Sequence, residues 1–185
     1  MGKQFDALDA AHIAFIDAQH MFFCGSAAPT GLVNISPKGR DSLRVLGPNR
    51  IVWLNLTGSG NETAGHLLEN PRMTLMWCGF ERRPQILRCY GTAVCLHRDH
   101  ADFAEHAARF GSPEAARQIY DMTIDMVQTS CGYAVPFYDH VGPRDTLERW
   151  AEDKGPDGLS TYWDTRNRTT LDGRPTGIEA NLKPS

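Results

Sequence analysis

The 185-residue chain has no apolar run long enough to span a bilayer, and its first residues, Met1-Gly2-Lys3-Gln4-Phe5-Asp6, lack the apolar stretch of a secretory signal. Asp6 also stands where N-myristoylation requires Ser or Thr. Positive charge is not in excess. Lys+Arg 19 against Asp+Glu 22 leaves a formal net charge of −3, which argues against nucleic acid as a partner. The five cysteines, Cys24, Cys78, Cys89, Cys95 and Cys131, are odd in number and form no C-x-x-C pair, so neither a disulfide framework nor a thiolate zinc site is expected. Four of them sit in apolar, strand-like contexts, which predicts packed free thiols in a reducing compartment, the cytoplasm. A G-x-G-x-x-G turn after a strand, the Gly-Lys-Ser/Thr of a P-loop and a G-x-S-x-G nucleophile elbow are all missing. His97-x-x-His100 has metal-like spacing, but no further ligand completes a local set, so no metal site is expected.

What is present is a strand-rich first half. After a helical pattern from about Phe5 to Ala18, with Leu8, His12, Phe15 and Ile16 near one face, six short runs read as strands. They are Met21 to Ser26, Leu32 to Ser36, Ser42 to Leu46, Ile51 to Leu56, Met73 to Trp77 and Gln85 to Leu96. Gly, Pro and Asn punctuate them at Ala28-Pro29-Thr30-Gly31, Ser36-Pro37-Lys38-Gly39 and Gly47-Pro48-Asn49. Six such strands with tight turns predict an antiparallel barrel or sandwich. The second half reads as helical. One helix runs from Asp99 to Phe110. A second starts at Ser112-Pro113-Glu114 and buries Ile119, Met122 and Met126. A third spans about Asp145 to Lys154, ends at Gly155, and is followed by a polar stretch from Thr165. The fold class expected is α+β, as one domain over 1–185, with a barrel core at about 20–97 and a helical extension at about 98–185.

Two segments are suited to holding a ligand. In the first, the strand Ile51 to Thr57 feeds Gly58-Ser59-Gly60, which opens a short helix stopped by Asn70-Pro71. Unpaired amides and the positive helix end there suit a phosphate, with Thr57, Ser59, Asn61 and Thr63 as further donors. The plainer reading is that Asn61 caps the helix and Glu62 complements its dipole. In the second, Leu32-Val33-Asn34-Ile35-Ser36-Pro37-Lys38-Gly39 is an apolar strand ending in donors and one Lys. It could lie along a flat heterocycle with Lys38 near a negative charge, or be an ordinary turn with a solvated Lys. Cys131 reads as a packed thiol or a reactive one.

From about Ala10 to Leu96 the order of these parts resembles the pyridoxamine 5′-phosphate oxidase family of FMN-binding split barrels. The likeness rests on helix, strand, turn, strand Leu32–Pro37, the strand ending Trp53-Leu54-Asn55-Leu56-Thr57, the Gly/Ser turn, the helix ending Glu69-Asn70-Pro71-Arg72, and two further strands, the last carrying Gly91. The resemblance implies a six-stranded antiparallel split β-barrel with flanking helices, working as a homodimer with FMN between subunits. It places Asn34, Ile35, Ser36 and Pro37 beside the flavin ring with Lys38 at its polar edge. Asn55, Leu56 and Thr57 fall on the other side, Asn61, Glu62 and Thr63 at the phosphate, and Gln85 or Ile86 approaches from the partner subunit. The chain departs from the oxidase proper in having Asn61-Glu62-Thr63 where that enzyme has basic residues. Phosphate affinity would then rest on backbone amides and a remote Arg such as Arg44 or Arg40. A C-terminal Arg-x-His substrate signature is also missing. The expected function is an FMN-dependent oxidoreductase acting on a small molecule. The alternatives are a non-catalytic flavin- or haem-binding split barrel and a true pyridoxamine 5′-phosphate oxidase.

Overall fold

The computed structural model describes residues 2–39 and 41–182. The first helix, α1 (Ala10–Asp17), is set by a capping box in which Asp9 accepts from the His12 amide and His12 accepts from the Asp9 amide. Its apolar face is as expected, with Leu8, His12, Phe15 and Ile16 all buried. The residues before it are not helical: Lys3–Phe5 form a short strand, β1.

Each of the six expected strands forms. They are β2 (Met21–Ala27), β3 (Val33–Gly39), β4 (Leu43–Gly47), β5 (Arg50–Leu56), β6 (Arg72–Cys78) and β7 (Gln85–Leu96), with helix α2 (Glu62–Glu69) between β5 and β6. The sheet nevertheless has eight strands rather than six, the additions being β1 and β8 (Ala116–Cys131). The order β3-β2-β6-β7-β8-β5-β4 is antiparallel throughout and open between β3 and β4, with β1 alongside β8.

β8 is the main departure from the sequence reading, which made residues from Ser112 onward a helix. The Ile119, Met122, Met126 spacing fits a helix, but Tyr120, Met122 and Ile124 also alternate and are all buried, whereas Met126 is only half-buried. Ser112-Pro113-Glu114 is used as a turn instead, with Ser112 at φ +50 and the Ala116 amide bonding to the Pro113 carbonyl. β8 pairs with β5 on one side and β7 on the other, so its ladder partners are all distant in sequence. Asp121, which a helix would leave solvated, faces Arg50 across the β5–β8 pair at 2.6 Å. A bulge opposite Tyr90/Gly91 relaxes the pairing, and Gly91 has no room for a side chain because a Cβ would overlap the Thr123 carbonyl oxygen.

Three apolar clusters form among the described residues. The largest lies inside the sheet around Phe22, Trp53, Leu75, Trp77, Tyr120 and Met122. A second joins Val52, Leu54 and Ile119 to helix α3 (Phe103–Ala108). The third holds the C-terminal helix α4 (Thr146–Arg166) through Ala151, Leu159 and Trp163. Gly155 (φ +63) interrupts α4 where the sequence placed its end, and Pro156 then restarts it, a use of proline that the first turn of a helix tolerates. The tail after α4 is held by a bridge between Thr169 and Pro175 and a 3₁₀ turn at Ile178–Asn181.

Candidate functional site

Inward-facing residues of β3, the end of β5, the glycine loop, the start of α2 and the first residues of β8 converge on a cavity of about 240 Å³. Its lining includes Asn34, Ser36, Lys38, Asn55, Leu56, Asn61, Glu62 and Thr63, so most of the residues singled out in the sequence meet here. The pleat explains the β3 contribution, since 34, 36 and 38 share one face while Val33, Ile35 and Pro37 point outward and are exposed. Ile35 lines a different hollow on the outer face. Thr57 is fully buried but turned away; its hydroxyl donates to the Ala115 carbonyl and accepts from Trp163 Nε1. Gln85 lies in the β6–β7 hairpin opposite Cys131, outside the cavity lining.

Two further lining residues, Arg117 and Tyr120, come from β8 and carried no local signal, because the segment read as a helix. Arg117 is 2% exposed and has no carboxylate partner among the described residues. Its guanidinium donates to the carbonyls of Gly58 (3.2 Å) and Gly60 (3.0 Å) and to Asn167 Oδ1 (2.7 Å), and Nε is unpartnered. Lys38 enters the same cavity, its ammonium 5.5 Å from the centre of the Trp53 ring, which in turn stacks on Tyr120. Burial lowers the pKa of Lys38, and the neighbouring Arg117 lowers it further. Burial also lowers the pKa of Arg117, and it raises that of Tyr120, which feels the nearby Cys95 thiol as well. Two desolvated cations therefore share one small space.

The local anion-repelling group is tethered. The Glu62 carboxylate accepts from the Leu171 amide at 3.1 Å, tying it to the C-terminal tail. Asn61 does not cap α2; its amide donates to the Asn167 carbonyl, leaving the first turn without a side-chain acceptor and its Oδ1 unpartnered. Thr63 is fixed by Asn34 and Ser26, each 3.2 Å from its hydroxyl oxygen. Of the two remote arginines expected near the phosphate, Arg44 pairs with Asp41 and covers Phe110, away from the cavity, and Arg40 lies outside the described residues.

The tail closes the far side of the loop. Gly65 in α2 is required for its approach, since a Cβ there would overlap Thr170. Arg174 bridges Glu69, Asp172 and the Thr30 carbonyl, joining the tail to α2 and the β2–β3 turn.

Fold and cavity together define an open antiparallel split barrel with a cationic recess at the mouth of a glycine loop. The family is then plain from sequence: the pyridoxamine 5′-phosphate oxidase profile matches residues 8–131, and the chain belongs to that family. A protein of Aspergillus flavus, pyridoxamine 5′-phosphate oxidase family protein ustO, is 39% identical over 126 residues, which is 65% of this chain and 51% of that protein. The chain thus matches about half the length of this relative. Among solved structures, a variant of HupZ from Group A Streptococcus superposes with a TM-score of 0.56 at 16% identity, over 66% of this chain and 98% of that one. A Lactobacillus delbrueckii protein described as a candidate pyridoxamine 5′-phosphate oxidase gives 0.53 at 17% identity, over 66% and 94%. At these identities the two structures bear on the fold alone.

Proposed function

We propose that this chain is an FMN-dependent oxidoreductase for a small organic substrate, acting as a cytoplasmic homodimer, and that the β3–glycine loop–β8 cavity takes the FMN phosphate. The observation that carries the reading is the pair Lys38 and Arg117, two desolvated cations that form no ion pair with a carboxylate among the described residues, beside the uncapped first turn of α2. Such an arrangement is costly unless an anion joins it, and a phosphate with several oxygens matches its donors. At about 240 Å³ the cavity falls below the usual range for a whole cofactor, roughly 300–1,000 Å³. It suits the phosphate end, leaving the ring outside.

In this reading the ring lies along β3, where Ile35 and Pro37 face outward. Val33 and Ile35, 72% and 69% exposed, border a largely apolar hollow of about 580 Å³ lined also by Phe23, Met76 and Tyr90. A second copy of the chain covering this face would bury those side chains and bring its Gln85 toward the cofactor. The flavin supplies hydride chemistry when bound; this chain's residues hold its phosphate, exclude water from it and present the ring. Asn55, whose amide donates to Gln118 Oε1 at 2.7 Å, and Asn34 keep the cavity wall polar and ordered.

The test is titration of purified protein with FMN and with riboflavin, followed by flavin fluorescence, with sedimentation to give the oligomeric state. Saturable FMN binding, tighter than that of riboflavin, to a dimer is expected. Absence of saturable FMN binding overturns the assignment. Reduction of the bound flavin by a nicotinamide and its reoxidation by an acceptor would establish an enzyme; a flavin that binds but never turns over would establish a storage or sensing protein.

A further inference from the structure

Asn167 lies 0% exposed just past the end of α4, in a part of the chain beyond the family region at 8–131. Its side chain is spent on the anion cavity. Oδ1 accepts from Arg117 at 2.7 Å, and Nδ2 donates to the Gly58 and Ser59 carbonyls at 3.1 and 3.4 Å. Its backbone is committed as well: the carbonyl accepts from Thr176 Oγ1 and from Asn61 Nδ2, and the amide donates to the Trp163 carbonyl. Asn181 reinforces the arrangement, with Nδ2 donating to the Arg117 carbonyl at 2.6 Å while Oδ1 accepts from the Arg98 amide.

The chemical type of this residue matters. An Asp at the same place would accept from Arg117 with a full negative charge and neutralise it. The amide of Asn167 orients the guanidinium and leaves its charge free. The glycine loop is held by the same group, through the two carbonyls that face the protein interior.

We propose that Asn167 is a positioning residue for the phosphate site: it fixes Arg117 and the glycine loop together and keeps the cation uncompensated, so the C-terminal segment completes the site. This rests on the reading that the cavity takes the phosphate of FMN. Asn167 does not touch the ligand; it acts through Arg117 and the loop.

The test compares FMN with riboflavin, which lacks the phosphate, in the wild type, Asn167→Asp, Thr176→Val, Arg117→Met and the Asn167→Asp/Arg117→Met double variant. Dissociation constants come from flavin fluorescence, and melting temperatures are recorded without ligand. Loss of a charge-assisted contact is expected to weaken FMN binding in Asn167→Asp by roughly 10- to 100-fold, with riboflavin binding changed by less than about 2-fold. In the Arg117→Met background the same substitution has no cation to neutralise, so any further fall in the FMN-to-riboflavin ratio is expected to stay within the about 2- to 5-fold of a carboxylate repelling the phosphate. Thr176→Val, which removes one of the two donors to the Asn167 carbonyl but adds no charge, should lower the ratio by about 3-fold, and it carries the test if Asn167→Asp does not fold. An unchanged ratio in the variants, or an equal loss for both flavins, overturns the role of Asn167 and leaves the phosphate assignment standing. A wild type that does not distinguish FMN from riboflavin removes the phosphate assignment itself, and this inference with it.

Discussion

Trp163 Nε1 donates to Thr57 Oγ1 at 2.9 Å across 106 residues of sequence, and both side chains are almost wholly buried. The bond joins α4 to the end of β5, immediately before the glycine loop, and it is one of several ties through which the C-terminal third sets the geometry of the cavity. Trp163→Phe keeps most of the apolar contact and deletes the donor. It is expected to cost about 1–2 kcal/mol in chemical denaturation, and Trp163→Ala about 3–5 kcal/mol. Equal stability of wild type and Trp163→Phe would show that the bond contributes nothing.

Lys38→Met should weaken FMN binding by roughly 10- to 100-fold, as expected for one charge-assisted phosphate contact. The same substitution alters the pH dependence of stability in the ligand-free protein. Because burial lowers the Lys38 pKa from its ordinary 10.5, the unfolded chain binds more protons in the window just below 10.5. The Lys38 contribution therefore makes stability rise with pH through that window. Subtracting the Lys38→Met profile from that of the wild type should leave a positive slope there; a flat or negative difference would contradict the burial of the ammonium.

Glu62→Gln removes the one carboxylate in the cavity lining while an amide oxygen can still accept from the Leu171 amide. FMN affinity should increase by about 2- to 5-fold, the size of a partly screened repulsion, and the increase should shrink as salt is added. A decrease would mean that the carboxylate supports the site through the tail more than it repels the ligand.

The cysteines divide by exposure. Cys131 is exposed, against the packed one of its two sequence readings, whereas Cys24, Cys78 and Cys89 are buried and Cys95 is half-buried. A thiol reagent should titrate one group quickly, and Cys131→Ser should abolish that phase. Burial pushes the Cys24 thiol up to about 11 and those of Cys89 and Cys95 to about 12, from an ordinary 9.0. A raised pKa contributes stability that is complete below 9.0 and lost as pH climbs toward 11 or 12. Each such thiol should cost about 1.4 kcal/mol per pH unit in that interval. Cys89→Ala should lessen the alkaline slope, as read from urea midpoints at about pH 8 to 10.5.

Gly91→Ala places a Cβ against the Thr123 carbonyl at the β7–β8 bulge, where backbone cannot yield cheaply. A loss of about 1–3 kcal/mol is expected, with the melting temperature as the readout. Gly58→Ala, which meets nothing within 4 Å, is the matched control.

Local pattern was enough for six strands, for the buried face of α1 and for the break at Gly155, because period, turn residues and caps act over a few neighbours. It also drew attention to Asn34, Lys38, Asn61 and Thr63, since a strand end and a glycine turn before a helix are local objects. β8 was not legible: Ile119, Met122 and Met126 satisfy a helical period, and only the vacant edges of β5 and β7 decide that they extend as strand. Arg117 and Asn167 were hidden for the same reason. Nothing near either residue in the chain marks it, and their roles exist only once β8 is inserted and the tail folds back over the glycine loop. Hydrophobic spacing is written in neighbouring residues, whereas a buried charge and the amide that orients it are brought together by chain closure, which tertiary packing alone decides.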